Sequence, residues 1–173
     1  SHYRHSKELR DGDARRGVGR IIGKAPEDVN FVGVRDALVA RVAHKLPLPR
    51  GVDGKLLDEV ERAAVDQVAR LLWVDEAGAH AYKDESLTLG VGRLLGHILR
   101  RIDARMKQPQ GAAPRLFLYS AHDTTLMPLL TALGEFDSAW PDFCSWVAVE
   151  VFVWDRVASS KRPWREDDVW LRL

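Results

Sequence analysis

The chain has 173 residues, 46% of them hydrophobic and 29% charged, and a formal net charge of +1. Such a length is one domain or a large piece of one, able to bury roughly 70% of its unfolded surface. The near-neutral balance excludes a dedicated nucleic-acid binder, which carries a basic excess. No apolar stretch reaches the roughly 18 residues that suggest a membrane span. Cys144 is the single cysteine, so no internal disulfide framework exists and a reducing or organellar setting is expected.

Residues 1–24 are polar and rich in glycine and arginine. They carry no sustained apolar period and no apolar signal-peptide core, and read as a loop or terminal extension. From Asp28 the pattern turns helical, with Phe31, Val34, Leu38 and Val42 on one predicted face. Leu46-Pro-Leu-Pro-Arg-Gly51 breaks it. A second helix is predicted from Asp53 to Trp73, with Leu57, Val60, Ala64, Val68 and Leu71 in line. A third runs from Asp84 to Lys107, with Leu87, Val91, Leu94, Ile98 and Ile102 in line. Gln108 to Pro114 is a turn-rich linker.

Leu116-Phe-Leu-Tyr119, bounded by Pro114 and Ser120, reads as a strand buried on both faces. A helix is predicted directly after it over Leu126 to Leu133. Asp123 or a threonine would cap it, Pro128 would sit in its first turn, and Gly134 would end it. Trp146 to Trp154 alternates in the manner of a strand. Val169, Leu171 and Leu173 suggest its partner beyond a polar loop at 155–167. A glycine near-repeat, Gly17-Val-Gly-Arg-Ile-Ile-Gly23 and Gly90-Val-Gly-Arg-Leu-Leu-Gly96, fits neither a dinucleotide loop nor a P-loop, and reads as coincidence or helix packing.

A strand that ends in His122-Asp123 and passes straight into a helix places both side chains at the carboxyl edge of a sheet, where ligands of open α/β folds bind. The helix's first N–H groups favour an anion there. His122 can donate to a phosphoryl oxygen. Asp123 can protonate a leaving alkoxide when a neighbouring phosphate charge keeps the proton on it. Thr124 is the third candidate, as a substrate contact. The plain alternative is that Asp123 is a helix cap and His122 a hydrogen-bonded strand-end histidine.

The segment Leu116-Phe-Leu-Tyr-Ser-Ala-His-Asp-Thr-Thr-Leu-Met-Pro-Leu-Leu130 resembles the acid-donor segment of the histidine phosphatase superfamily, in its acid phosphatase branch. Leu133-Gly134, Trp140-Pro-Asp-Phe143 and the strand holding Glu150 follow in that family's order. Val29-Asn-Phe31 through His44-Lys-Leu-Pro47 is similar to the lysophosphatidic acid phosphatase members. The resemblance implies that His122 contacts phosphate and that Asp123 is the proton donor. It also implies a phosphohistidine formed on an Arg-His-Gly-x-Arg-x-Pro motif, with no cofactor and no metal. Here the sequence departs from the pattern: Arg4-His5-Ser-Lys-Glu-Leu-Arg10 lacks the glycine, the second arginine and the proline. This chain alone is therefore expected to be inactive, with the nucleophile outside it.

The expected fold is α/β, a mixed sheet flanked by helices with a helical cap region, incomplete at both ends. Residues 1–27 would be an extension, 28–83 the cap and 84–173 the α/β portion. Glu150 reads as a structural, hydrogen-bonded acid. His44, His80 and His97 lack paired spacing for a metal, and the tryptophans from Trp140 onward read as packing. Arg15, Arg16, Arg20 and Lys24 read as a solvated basic stretch. The expected partners are a phosphomonoester or inorganic phosphate, together with a missing N-terminal half or partner subunits. The resemblance points to an intracellular, mitochondrial setting. The competing function is a catalytically inactive structural or binding subunit, and a third is a phosphate sensor without turnover.

Overall fold

In the computed structural model, which describes residues 2–72, 84–109, 114–159 and 162–173, the chain opens on a helix and not on the expected extension. Two units divide the chain: Ser1–Tyr82 with Asp137–Trp140, and Lys83–Phe136 with Pro141–Leu173.

The first unit is helical. Helix α1 (His2–Ile22) buries the small residues Ala14 and Val18, one turn apart, and packs against the third helix. Arg15 lays its guanidinium 4.7 Å over the Phe31 ring and donates to the Val29 carbonyl at 3.1 Å. These contacts come from distant residues, which is why no broad apolar stripe announced α1. Gly23 ends it at φ +68°, and the Lys24 N–H returns to the Gly19 carbonyl at 2.9 Å. A Cβ at Gly19 would stand 2.7 Å from the Lys24 carbonyl oxygen, so only glycine permits that return.

Helix α2 (Phe31–Ala43) starts at Asn30, whose side chain accepts from the Gly33 N–H. Its buried residues are Phe31, Arg35 and Leu38; Val42, expected inside, is exposed. Arg35 takes the inner position because its charge is matched. Its NH1 lies 3.3 Å from Asp36 and its Nε 3.5 Å from Glu61, and its guanidinium stacks 4.6 Å from the Trp140 ring. Asp53 caps α3 (Gly54–Leu72) by accepting from the Leu56 N–H at 2.8 Å. The buried stripe of α3 is Val60, Ala63, Ala64, Val65 and Val68, against α1 and α2. Gln67 of α3 accepts from the Phe31 N–H at 3.0 Å, tying the start of α2 to it. Trp73, predicted to end this helix, lies outside the described residues.

In the second unit α4 (Asp84–Leu87) and α5 (Arg93–Lys107) are joined by a π turn over Thr88–Gly92, so the predicted helix is present with one widened turn. The second glycine repeat falls on that turn. A Cβ at Gly90 would meet nothing within 4 Å, so close packing does not explain that glycine. Helix α6 (Asp123–Leu133) buries Met127, Pro128 and Leu129 and packs against the π turn and α4.

Strands β1 (Glu150–Val153) and β2 (Val169–Arg172) pair antiparallel, Glu150 opposite Arg172 and Val153 opposite Val169. Trp170 stacks on Phe152 at 5.6 Å and meets Trp154 at 4.9 Å, cross-strand aromatic contacts that stabilise a short ladder. The two strands sit where the alternation placed them, but β1 is shorter than Trp146 to Trp154. The 155–167 segment is not a simple loop, since it holds the short helix α7 (Asp155–Ala158). With its helices and this sheet the architecture is α/β. The strand expected over Leu116–Tyr119 is not formed: the backbone runs from Leu116 to Ala121 without turn, bend or ladder. An extended apolar run becomes a strand only when another strand pairs with it, and no described residue does.

Candidate active site

His122 is the N-cap of α6, with extended φ −99° and ψ 162° and no side-chain cap bond. Its carbonyl accepts from the Thr125 and Leu126 N–H groups at 2.9 and 3.0 Å. Asp123 is the first helical residue and not the cap; its Oδ1 accepts from the Thr124 N–H at 2.7 Å. Pro128 is inside the helix, one turn later than expected. It therefore leaves the Thr124 carbonyl without the usual donor four residues on. Gly134 closes α6 at φ +79°, as the sequence suggested.

His122 and Thr124 are exposed and Asp123 is half-buried. Asp123 thus keeps some exposure, next in sequence to the exposed His122 and at the positive end of an eleven-residue helix. Such a grouping can hold an oxyanion by a histidine N–H and backbone N–H groups while a carboxyl exchanges a proton with it. Two cavities of about 480 and 470 Å³ lie in the first unit, and neither is lined by these three residues.

The approach to the site is set by α5. Phe117 lies under the Arg101 guanidinium at 5.1 Å, and Tyr119 meets His97 edge-on at 5.7 Å. Arg101 Nε faces His97 Nε2 at 3.5 Å. Sequence reading passed over Arg101; its signal was the i, i+4 pair it makes with His97 on one helix face.

The other candidates are scattered. Glu150 has the hydrogen-bonded partner expected of it, accepting from Arg172 Nε at 2.7 Å, but the pair is exposed and not buried. His44 is the exposed C-cap of α2, His5 lies within α1, and His80 is outside the described residues. Among the described residues no cluster of three or more His, Cys, Asp or Glu could hold a metal. No helix among them is long and apolar enough to cross a membrane. The perturbed acid is elsewhere. Two hydrogen bonds from Arg162, at 2.7 and 3.0 Å, with one from the Arg165 N–H, hold the Asp168 carboxyl at about 2.

Comparisons with known proteins give the family of this α/β chain. The histidine phosphatase superfamily (branch 2) matches residues 59–172. Lysophosphatidic acid phosphatase type 6 of Bos taurus is 32% identical over 131 residues, 73% of this chain and 28% of its own length. That of Pongo abelii is 34% identical over 130 residues, with the same coverage. A probable acid phosphatase of Schizosaccharomyces pombe is 29% identical over 136 residues, 77% of this chain and 27% of its own. No solved structure gives a significant match. The chain belongs to the histidine phosphatase superfamily, branch 2, and spans between a quarter and a third of the length of these relatives.

Proposed function

We propose that this chain supplies the acid half of a phosphomonoesterase site, with Asp123 as proton donor, His122 as phosphate contact and Thr124 as a further contact. The observation that carries the reading is half-buried Asp123 at the start of α6, next to exposed His122, inside the residues matched to the family. In the reaction a histidine outside this chain attacks phosphorus. The new N–P bond forms as the ester O–P bond breaks, and the Asp123 proton passes to the departing oxygen, which leaves as an alcohol. Water then cleaves the N–P bond and returns a proton to the Asp123 carboxylate, releasing phosphate. The substrate class we favour is lysophosphatidate, because the mammalian relatives are named for it.

The second reading is an inactive structural or binding subunit. It is favoured by the lack of an Arg-His-Gly-x-Arg-x-Pro motif in all 173 residues. The two separate in one assay. The chain is joined to a polypeptide carrying that motif, and hydrolysis of lysophosphatidate and of p-nitrophenyl phosphate is measured with and without Asp123→Ala. The hydrolase reading expects a loss of about 10²–10⁴-fold in kcat in the variant. An unchanged rate removes Asp123 from the mechanism, and no hydrolysis by a folded, joined protein favours the subunit.

A further inference from the structure

In the first unit a cavity of about 470 Å³ opens between α1, α2 and the connection that leads into α3. Its walls are apolar: Val18 and Ile21 from α1, Val34 and Leu38 from α2, Val52 from the connection and Leu56 from α3. Val18 and Leu38 are buried, and the other four are half-buried. Gly51, at φ +89°, turns the connection back against Ile21. The uncharged polar side chain on the wall is Asn30, and its Oδ1 is already taken by the Gly33 N–H and the Gln67 amide, both at 3.4 Å. An extended peptide laid here would leave amides unpartnered, whereas an alkyl chain needs no hydrogen bond.

Charge completes the pattern. The charged residues lining this cavity are Lys24 and Arg41, and no acid lines it. Arg41 spends its Nε on the Pro47 carbonyl at 2.9 Å, and neither cation has an ion-pair partner among the described residues. Lys24 also lines the neighbouring cavity of about 480 Å³, together with Arg16 and Arg20, again with no acid in its lining. Arg16 is held by Asp13, and Arg20 Nε donates to the Arg16 carbonyl at 3.2 Å. Glu27 and Asp28 are exposed and line neither cavity. In a chain of net charge +1, four cations gathered around two adjoining cavities are a local choice of sign. Three of them belong to the stretch that the sequence presents as merely solvated.

We infer that the cavity between α1 and α2 binds a single-chain amphiphile with an anionic head, of the long-chain fatty-acid type. The alkyl chain lies along the apolar walls, and the head is drawn to Lys24 and Arg41. The volume falls within the roughly 300–1,000 Å³ of small-molecule sites, which are likewise mostly apolar with a few placed polar groups. A half-buried guanidinium with its terminal N–H groups unspent suits a carboxylate or phosphate oxygen better than it suits water. The inference concerns the first unit and does not rest on the hydrolase reading.

The test titrates the 173-residue chain with oleate, below the concentration at which oleate forms micelles, and follows displacement of the fluorescent fatty acid cis-parinarate. Saturable 1:1 binding with a micromolar Kd is expected. Oleyl alcohol, with the same chain and no charge, should bind on the order of tenfold more weakly. Octanoate, with the charge and a shorter chain, should bind on the order of a hundredfold more weakly. Lys24→Glu should weaken oleate on the order of tenfold, whereas Lys55→Glu, an exposed cation outside the lining, should leave it within about twofold. Ala37→Trp, at an exposed position on the cavity wall, should abolish binding with the helical circular dichroism unchanged. Oleyl phosphate, titrated in parallel, separates the heads: tighter binding than oleate, lost in Lys24→Glu, names a phosphate, and weaker binding names a carboxylate. No saturable displacement, equal affinity for the alcohol, or equal loss in Lys24→Glu and Lys55→Glu overturns the inference. So does a dimer by light scattering that excludes the probe, since a second copy would then fill the cavity. Asp123→Ala should leave oleate binding unchanged. A loss there would put the probe at α6 and overturn the inference, while the hydrolase reading is judged only by turnover.

Discussion

The helical unit and the sheet-bearing unit solve the same problem to different degrees. In the first, Val29, Phe31, Leu38, Val60, Ala63, Ala64, Val65 and Val68 are all buried, and the helices carry most of their backbone hydrogen bonds internally. In the second, burial is confined to a few residues, chiefly Val91, Met127, Leu129 and Val157, while Leu116, Leu118, Phe143 and Trp146 face water. The contrast teaches that helices can form on local hydrogen bonds and then close a core by packing, whereas a strand forms only where another strand pairs with it. The candidate site combines the two: Asp123 opens a helix, and the segment that leads to it lies in no ladder among the described residues.

Substitutions can break that contrast, and the largest effect is expected in the closed unit. Phe31→Ala, at a side chain 1% exposed, should cost about 3–5 kcal/mol, read as a lower urea midpoint. A cost below about 1 kcal/mol would show that the α1–α2–α3 core is looser than described. Gly19→Ala drives a methyl against the Lys24 carbonyl at 2.7 Å and should cost about 1–3 kcal/mol by the same denaturation experiment. A neutral result would mean that α1 ends differently.

A smaller effect is expected from acid. Asp168 has its carboxyl depressed from 3.8 to about 2 by Arg162 and the Arg165 N–H. A depressed acid contributes stability that is present above its unfolded value and lost as pH falls through its folded one. The contribution should therefore fade between about pH 4 and pH 2. Because Arg162 is exposed and the half-buried Asp168 sits at the surface, the effect is small. Thermal melts across that range should flatten in Asp168→Asn; an unchanged pH profile would mean the bidentate pair is not formed in solution. The smallest effect is expected from Leu118→Asp in the chain alone, within about 0.5 kcal/mol of the parent. That near-silence, beside the large cost of Phe31→Ala, is what separates an open surface from a core.

Much of the local structure around His122 and Asp123 was legible in the sequence because it is short-range. His122-Asp123 before an apolar helix closed by Gly134 needs only neighbouring residues, and α6 starts and stops within a residue of those signals. The start of α3 beside Asp53 was legible for the same reason, and the alternation at Val169, Leu171 and Leu173 marked the second strand. Pro128 was misjudged by one turn, because the helix begins earlier than its first aliphatic residue.

What the amino-acid order determined by itself is the set of helical periods, caps and alternations, together with the residue types at the start of α6. Tertiary structure alone decided that α1 is a helix, that Arg35 and not Val42 goes inside, that a π turn interrupts α4 and α5, and that 116–120 is unpaired. The division has one physical cause. Helix hydrogen bonds close within four residues and are written in local pattern, whereas charge burial, glycine-permitted returns and strand pairing depend on groups far along the chain or beyond it.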